Sequence, residues 1–281
     1  MVSRPPPGHR TRPLADARLD AARRPTLVLL AGSPGDAGLW RHQVDALSGL
    51  ARIEVLTPVR HGKIGDHAAA VLAQVTAPRF ALAGFSLGGA AALEIMRRAP
   101  ERVDRLALLS TSARADPPSV RARRAGRIAQ AAEAGTDPVE DFIRLAPGPA
   151  GGESVLGQLH RMISTRLATD RMARQDTIVL RPDSRPLLGT IRCPTLVLCG
   201  GEDRTTPPAF GREIAAAIPG AEFAELAGVG HMVTLEAPAA VNAAMARWLA
   251  AEARAWWPAR PAHRSTAIAA GTVREGVRRS R

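Results

Sequence analysis

The 281-residue chain contains no tyrosine, only 3% aromatic residues, two cysteines and a single lysine, Lys63. So few aromatic rings exclude the stacking platforms on which proteins hold unpaired bases. No apolar run reaches the roughly 18–20 residues that a membrane span needs, and Arg247 interrupts the best candidate. The opening stretch MVSRPPPGHRTRPLADARLD has no apolar core of the kind a secretory signal requires. The expected location is therefore the cytoplasm. The two thiols lie in the run Cys193-Pro-Thr-Leu-Val-Leu-Cys199. If that run is a strand, about 20 Å separates them, far beyond the ~6 Å a disulfide spans. Reduced thiols are expected, and their spacing does not suit a metal site.

What the chain does have is arginine, giving a formal charge of +12. The location of that charge decides what it means. Residues 1–24 carry six arginines against Asp16 and Asp20, and residues 258–281 carry six against Glu275, so these segments hold +4 and +5. Both are rich in Pro, Ala and Arg and poor in large apolar groups, so both are expected to be disordered basic tails. The body, 25–257, keeps only +3. That is too little to suggest a specific nucleic-acid partner. A small-molecule substrate and a monomer or weak homo-oligomer are expected instead.

Within the body, short apolar runs alternate with longer helical patterns, as parallel strands joined by crossover helices do. The strand candidates are Thr26–Ala31, Arg52–Leu56, Phe80–Gly84, Leu106–Ser110, Thr195–Cys199 and Glu222–Leu226. Four of them are nearly continuous apolar runs, which suits strands buried on both faces. Helical patterns cover Leu39–Leu50, Asp66–Gln74, Leu87–Arg98, Ala209–Ala217 and Ala237–Ala253, with Pro100 and Pro219-Gly220 closing two of them. Between Ser112 and Arg192 no strand is evident. That interval reads as a helical insertion, placed at about 112–185.

Gly84-Phe-Ser86-Leu-Gly88 joins a strand directly to a helix. This is the G-x-S-x-G nucleophile elbow, a strained turn that lifts a serine hydroxyl above the strand ends. A serine attacks only when a base takes its proton, and the base in turn needs an orienting acid. For an elbow the chain order is serine, acid, histidine. Strand Thr195–Cys199 runs into Gly200-Gly-Glu202-Asp203-Arg-Thr-Thr-Pro207, and strand Glu222–Leu226 into Ala227-Gly-Val-Gly-His231. Ser86, Asp203 and His231 thus follow three strand ends, on the rim where open α/β sheets place their sites.

These motifs resemble those of the α/β-hydrolase superfamily, specifically its serine esterase-like branch with a helical cap. Gly200 to Pro207 is similar to the family's acid loop, which implies Asp203 rather than Glu202. Gly228-Val-Gly-His-Met-Val-Thr-Leu-Glu-Ala-Pro238 is similar to its histidine loop. The resemblance covers roughly residues 25–250. It implies an α/β fold with a mostly parallel central sheet, helices on both faces and the insertion as cap. Asp116 stands at an alternative acid position used by some relatives, and Glu236 is expected to cap the helix that follows it.

The backbone N–H of Leu87 is expected to be one oxyanion-hole donor. The resemblance implies Ser33 N–H as the second, since Pro34 has no N–H to give. Family members commonly carry His-Gly at that loop, where this chain has Ala31-Gly32. Phe142, Leu145, Met162, Met172 and Met232 are candidate pocket residues. Trp40 should pack the first helix and Trp256-Trp257 the last, while Arg181 and Arg185 suit ion pairs within the turn from insertion to sheet. The implied reaction is hydrolysis of a small apolar carboxylic ester, thioester or lactone through an acyl-enzyme, with no cofactor and no metal. Two rivals share these residues. One is another reaction on the same fold, as in lyases, cofactor-free haloperoxidases and C–C bond hydrolases; the other is a non-catalytic binding module.

Overall fold

Alternation along the first strand, β1 (Thr26–Leu30), explains the layering: Leu27 and Leu29 face one side of the sheet, Val28 and Leu30 the other, and all are buried. Each such side chain contributes about 1.5–3 kcal/mol through burial, which keeps β1 central. The computed structural model describes residues 24–33, 35–57, 63–133, 140–169 and 181–251. The described strands form one six-stranded, all-parallel sheet. After β1 come β2 (Arg52–Leu56), β3 (Phe80–Phe85), β4 (Val103–Leu109), β5 (Thr195–Gly200) and β6 (Glu222–Leu226), in spatial order β2-β1-β3-β4-β5-β6. The order reverses between β1 and β3, which is where an open sheet forms a crevice at its carboxyl edge.

Helices cover both faces. Leu39, Trp40 and Leu47, from a 3-10 turn (Ala37–Trp40) and α1 (Arg41–Leu47), share one core with Val241, Met245 and Trp248. The opposite face is filled from α2 (Ile64–Gln74) and α3 (Leu87–Arg98), with Ile214 and Ile218 nearby. Between β4 and β5 lie α4 (Pro118–Glu133), α5 (Glu140–Leu145) and α6 (Gly152–Thr169), with the short α7 (Arg185–Leu188) returning to the sheet. Ile143, Ala146, Val155, Leu159 and Ile163 of that interval join the first core. The α5–α6 part of the insertion is thus packed onto the sheet's core. The remaining helices are α8 (Pro208–Ala217), α9 (Val233–Glu236) and α10 (Pro238–Ala250).

Several expectations change in detail. The first helical pattern, read as Leu39–Leu50, is a 3-10 turn followed by a helix that stops at Leu47. Strand β4 starts three residues early, at Val103, because its two polar residues are satisfied outside the sheet: Asp104 pairs with Arg79, and Arg105 donates to Trp248 O at 3.0 Å. Of the tails expected at 1–24 and 258–281, only Arg24 lies among the described residues; Pro34, Met172 and Trp256-Trp257 lie outside them. Both thiols are free, and burial pushes Cys193 up to about 11 and Cys199 up to about 12. They are neutral and inert near neutral pH. No helix among the described residues is long and apolar enough to cross a membrane.

Candidate active site

The elbow is built by crowding. Ser86 leaves β3 at φ 53° and ψ −115°, a left-handed conformation costing roughly 1–3 kcal/mol for a non-glycine residue. A Cβ on Gly84 would run into the Gly88 carbonyl, and one on Gly88 would run into the Leu30 carbonyl. The strained residue is pinned on both sides. Ser86 N donates to Leu109 O at 2.9 Å, while Ser86 O accepts from Gly89 N at 3.0 Å and from Thr111 Oγ1 at 2.7 Å. Net values of roughly 0.5–1.5 kcal/mol per bond are enough to offset the strain.

Three loops bring their residues together. His231 Nε2 lies 3.1 Å from Ser86 Oγ, and His231 Nδ1 lies 2.8 Å from Asp203 Oδ2. The carboxylate can only accept, so Nδ1 carries the proton and Nε2 presents a lone pair to the serine hydroxyl. Asp203 and His231 are buried. Two phenyl rings pack near the imidazole, Phe85 tilted at 5.2 Å and Phe142 edge-on at 6.0 Å between centroids.

Asp203 is held just as closely. Oδ1 accepts from Thr205 N and Thr206 N, both at 2.8 Å, and Oδ2 from Thr206 Oγ1 at 2.8 Å. Burial pushes its carboxyl up, but the facing His231 charge and hydrogen bond, with the Thr206 bonds, outweigh burial and hold it below the usual carboxylate range. Glu202 is exposed. Asp116 instead pairs with Arg181 at 2.5 Å, and Arg185 pairs with Asp183, so these charges serve the turn between insertion and sheet.

Leu87 occupies the first position of α3, where helix geometry leaves its N–H without an intrahelical acceptor. The loop after β1 presses against the elbow, and a Cβ on Gly32 would lie 3.0 Å from Ser86 Cβ. Ser33 is the next residue; its Oγ is shielded from solvent without a hydrogen-bond partner among the described residues. Among the described residues, no group of three or more His, Cys, Asp or Glu is arranged to hold a metal ion.

The pocket candidates separate. Phe142 packs on the imidazole, whereas Leu145 is exposed and Met232 is buried in the core. Met162 lines an open cavity of about 270 Å³ with Asp36, Gly38, Arg41, Gln158, Arg161 and Leu235. Glu236 is a correction. It caps no helix after it; its carboxylate reaches back to the N–H groups of Gly148, Gly230 and Met232. Thr111 and Thr206 were not anticipated at all. The Thr-Thr pair in the acid loop was the only sequence signal for the second of them.

Comparison with known proteins agrees with this architecture. Residues 27–244 match the model of the alpha/beta hydrolase family. "Putative carbamate hydrolase RutD" of Serratia proteamaculans is 26% identical over 251 residues, covering 82% of this chain and 92% of its own length. Among solved structures, an enol-lactonase from Burkholderia xenovorans superposes with a TM-score of 0.69 at 26% identity, covering 81% of this chain and 92% of its own. A thermophilic esterase from Thermogutta terrifontis gives a TM-score of 0.68 at 25% identity, with coverage of 80% and 89%. With the matched region spanning most of the sheet and all three loops that meet at Ser86, the chain belongs to the alpha/beta hydrolase family.

Proposed function

We propose that the protein is a serine hydrolase that cleaves a small, largely apolar carboxylic ester, thioester or lactone through an acyl-enzyme intermediate. The observation that carries this reading is the unbroken run of contacts from Ser86 Oγ through His231 to Asp203, at 3.1 and 2.8 Å. Ser86 Oγ attacks the carbonyl carbon as His231 Nε2 takes its proton. Asp203 keeps the imidazole in the productive tautomer and stabilises the imidazolium. Negative charge developing on the carbonyl oxygen is met by Leu87 N–H and Ser33 N–H, an arrangement worth several kcal/mol in acyl transfer. The imidazolium then protonates the leaving group, and water activated by His231 releases the acid.

Relatives named for lactone, ester and carbamate hydrolysis support this range, since each of those substrates is a carbonyl bearing a heteroatom leaving group. The half-buried phenyl ring of Phe142 beside the imidazole favours an apolar acyl group. The test is labelling by a fluorophosphonate probe, together with turnover of p-nitrophenyl esters of increasing chain length. Wild type should react in both assays, and Ser86→Ala should abolish both while melting at the same temperature. Labelling that survives in Ser86→Ala would overturn the assignment.

A further inference from the structure

The base is not held by the sheet alone. Its loop is sandwiched between the end of β5 and the segment 146–151, which joins α5 to α6 of the insertion. On the sheet side, Glu202 N donates to Val229 O at 2.8 Å. On the other side, His231 N donates to Ala146 O at 2.7 Å, and Ala150 N to Gly228 O at 2.9 Å. The two backbones touch: a Cβ on Gly148 would sit 2.5 Å from Gly230 N. At the centre of this seam lies the Glu236 carboxylate. Oε2 accepts from Gly148 N and Gly230 N, both at 2.8 Å, and Oε1 from Met232 N at 2.9 Å. One carboxylate thereby collects three backbone donors, two flanking His231 in sequence and one from the insertion. Such charge-assisted bonds are roughly twice as strong as neutral ones.

We infer that Glu236 is a positioning residue for His231, clamping the 146–151 segment of the insertion onto the histidine loop so that the imidazole is in line with Ser86 only while the insertion is docked. This rests on the serine-hydrolase reading above. Glu236 touches no reacting atom; it acts through the backbone on both sides of the base. A glutamine at 236 would place its NH₂ group against at least one of the three N–H donors, because either amide orientation leaves only one acceptor oxygen. Displacing a catalytic group by about 1 Å costs on the order of 10²-fold in rate.

Two measurements on the full chain test this: the second-order rate of fluorophosphonate labelling, and the low-field proton resonance of the His231–Asp203 hydrogen bond. Glu236→Ala is expected to label about 100-fold more slowly than wild type and Glu236→Gln about 10-fold more slowly. In both, the low-field resonance should broaden or shift. Gly148→Ala, which disturbs the seam from the insertion side with Glu236 intact, should slow labelling in the same direction. If Glu236→Ala does not fold, Glu236→Gln and Gly148→Ala decide. Variants that melt earlier yet label within about twofold of wild type, with an unmoved resonance, would reduce Glu236 to a structural residue and overturn the inference. If wild type itself fails to label, the nucleophile assignment is at fault, and the resonance alone still decides the clamp.

Discussion

The two ends of the Ser86–His231 contact are held by different means. Ser86 is fixed by contacts within the sheet and its crossover helix: backbone packed against backbone at Gly84 and Gly88, and a hydroxyl from the neighbouring strand's end at Thr111. His231 is fixed by polar bonds that cross from the sheet into the insertion, through Ala146, Gly148 and Glu236. Strain sits at the serine, where the core over-determines the backbone. The histidine loop is crowded too, at Gly148 and Gly230, but its contacts cross into the insertion, where three bonds to one carboxylate set the geometry. Damage to the first end should therefore appear as lost stability, and damage to the second as lost rate in a folded protein.

Asp203→Asn sharpens this contrast most. It keeps the shape of the acid but favours the wrong imidazole tautomer, and by analogy with other triads kcat should fall about 10⁴-fold. The pH dependence should change with it. Because the folded Asp203 carboxyl is depressed, its stabilisation is full above its unfolded value of about 3.9 and is lost as pH falls through the folded value. Thermal melts across acid pH should show a shallower decline in Asp203→Asn than in wild type. Identical acid limbs would contradict the assigned shift.

Gly88→Ala strikes the other end. Its Cβ meets the main-chain carbonyls of Leu30, the last residue of β1, and of Ala31 just after it. Overpacking of this kind costs about 1–3 kcal/mol or more, so urea unfolding should show stability and esterase activity falling together. The smallest effect is expected from Thr111→Val, which removes one hydrogen bond to Ser86 O. About 1 kcal/mol of stability should go, with only a few-fold change in turnover. A large rate loss without destabilisation in Thr111→Val would mean that the serine end, too, is tuned rather than locked.

Much of this was legible beforehand, for identifiable reasons. Edge strands β2 and β6 match their expected bounds, Arg52–Leu56 and Glu222–Leu226, because Ser48-Gly49 and Thr57-Pro58 bracket the first in sequence and Pro219-Gly220 and Gly228 the second. Buried strands β1, β3 and β5 read clearly as apolar runs; β4 was shortened because Asp104 and Arg105 interrupt its pattern while their side chains find partners off the sheet. Ser86, Asp203 and His231 are nameable as a set because each follows a strand end in its own motif, and the structure brings their side chains within hydrogen-bond distance. The role of Glu236 is not legible, because its three partners include Gly148, 88 residues away, and a carboxylate near a helix start looks the same in sequence whichever way it turns. Thr111 was invisible for a similar reason: its hydroxyl acts on a residue 25 positions earlier, across the β3–β4 register.

The glycine pair at the seam limits how this scaffold can be re-engineered. With Gly148 and Gly230 in backbone contact, the 146–151 segment of the insertion and the loop that carries His231 share a surface with no space for a methyl group. Transplanting a foreign insertion onto this body would also replace half of the mounting of His231. Chimeras should keep residues 146–151 from the recipient, joining the donor's helices outside that segment.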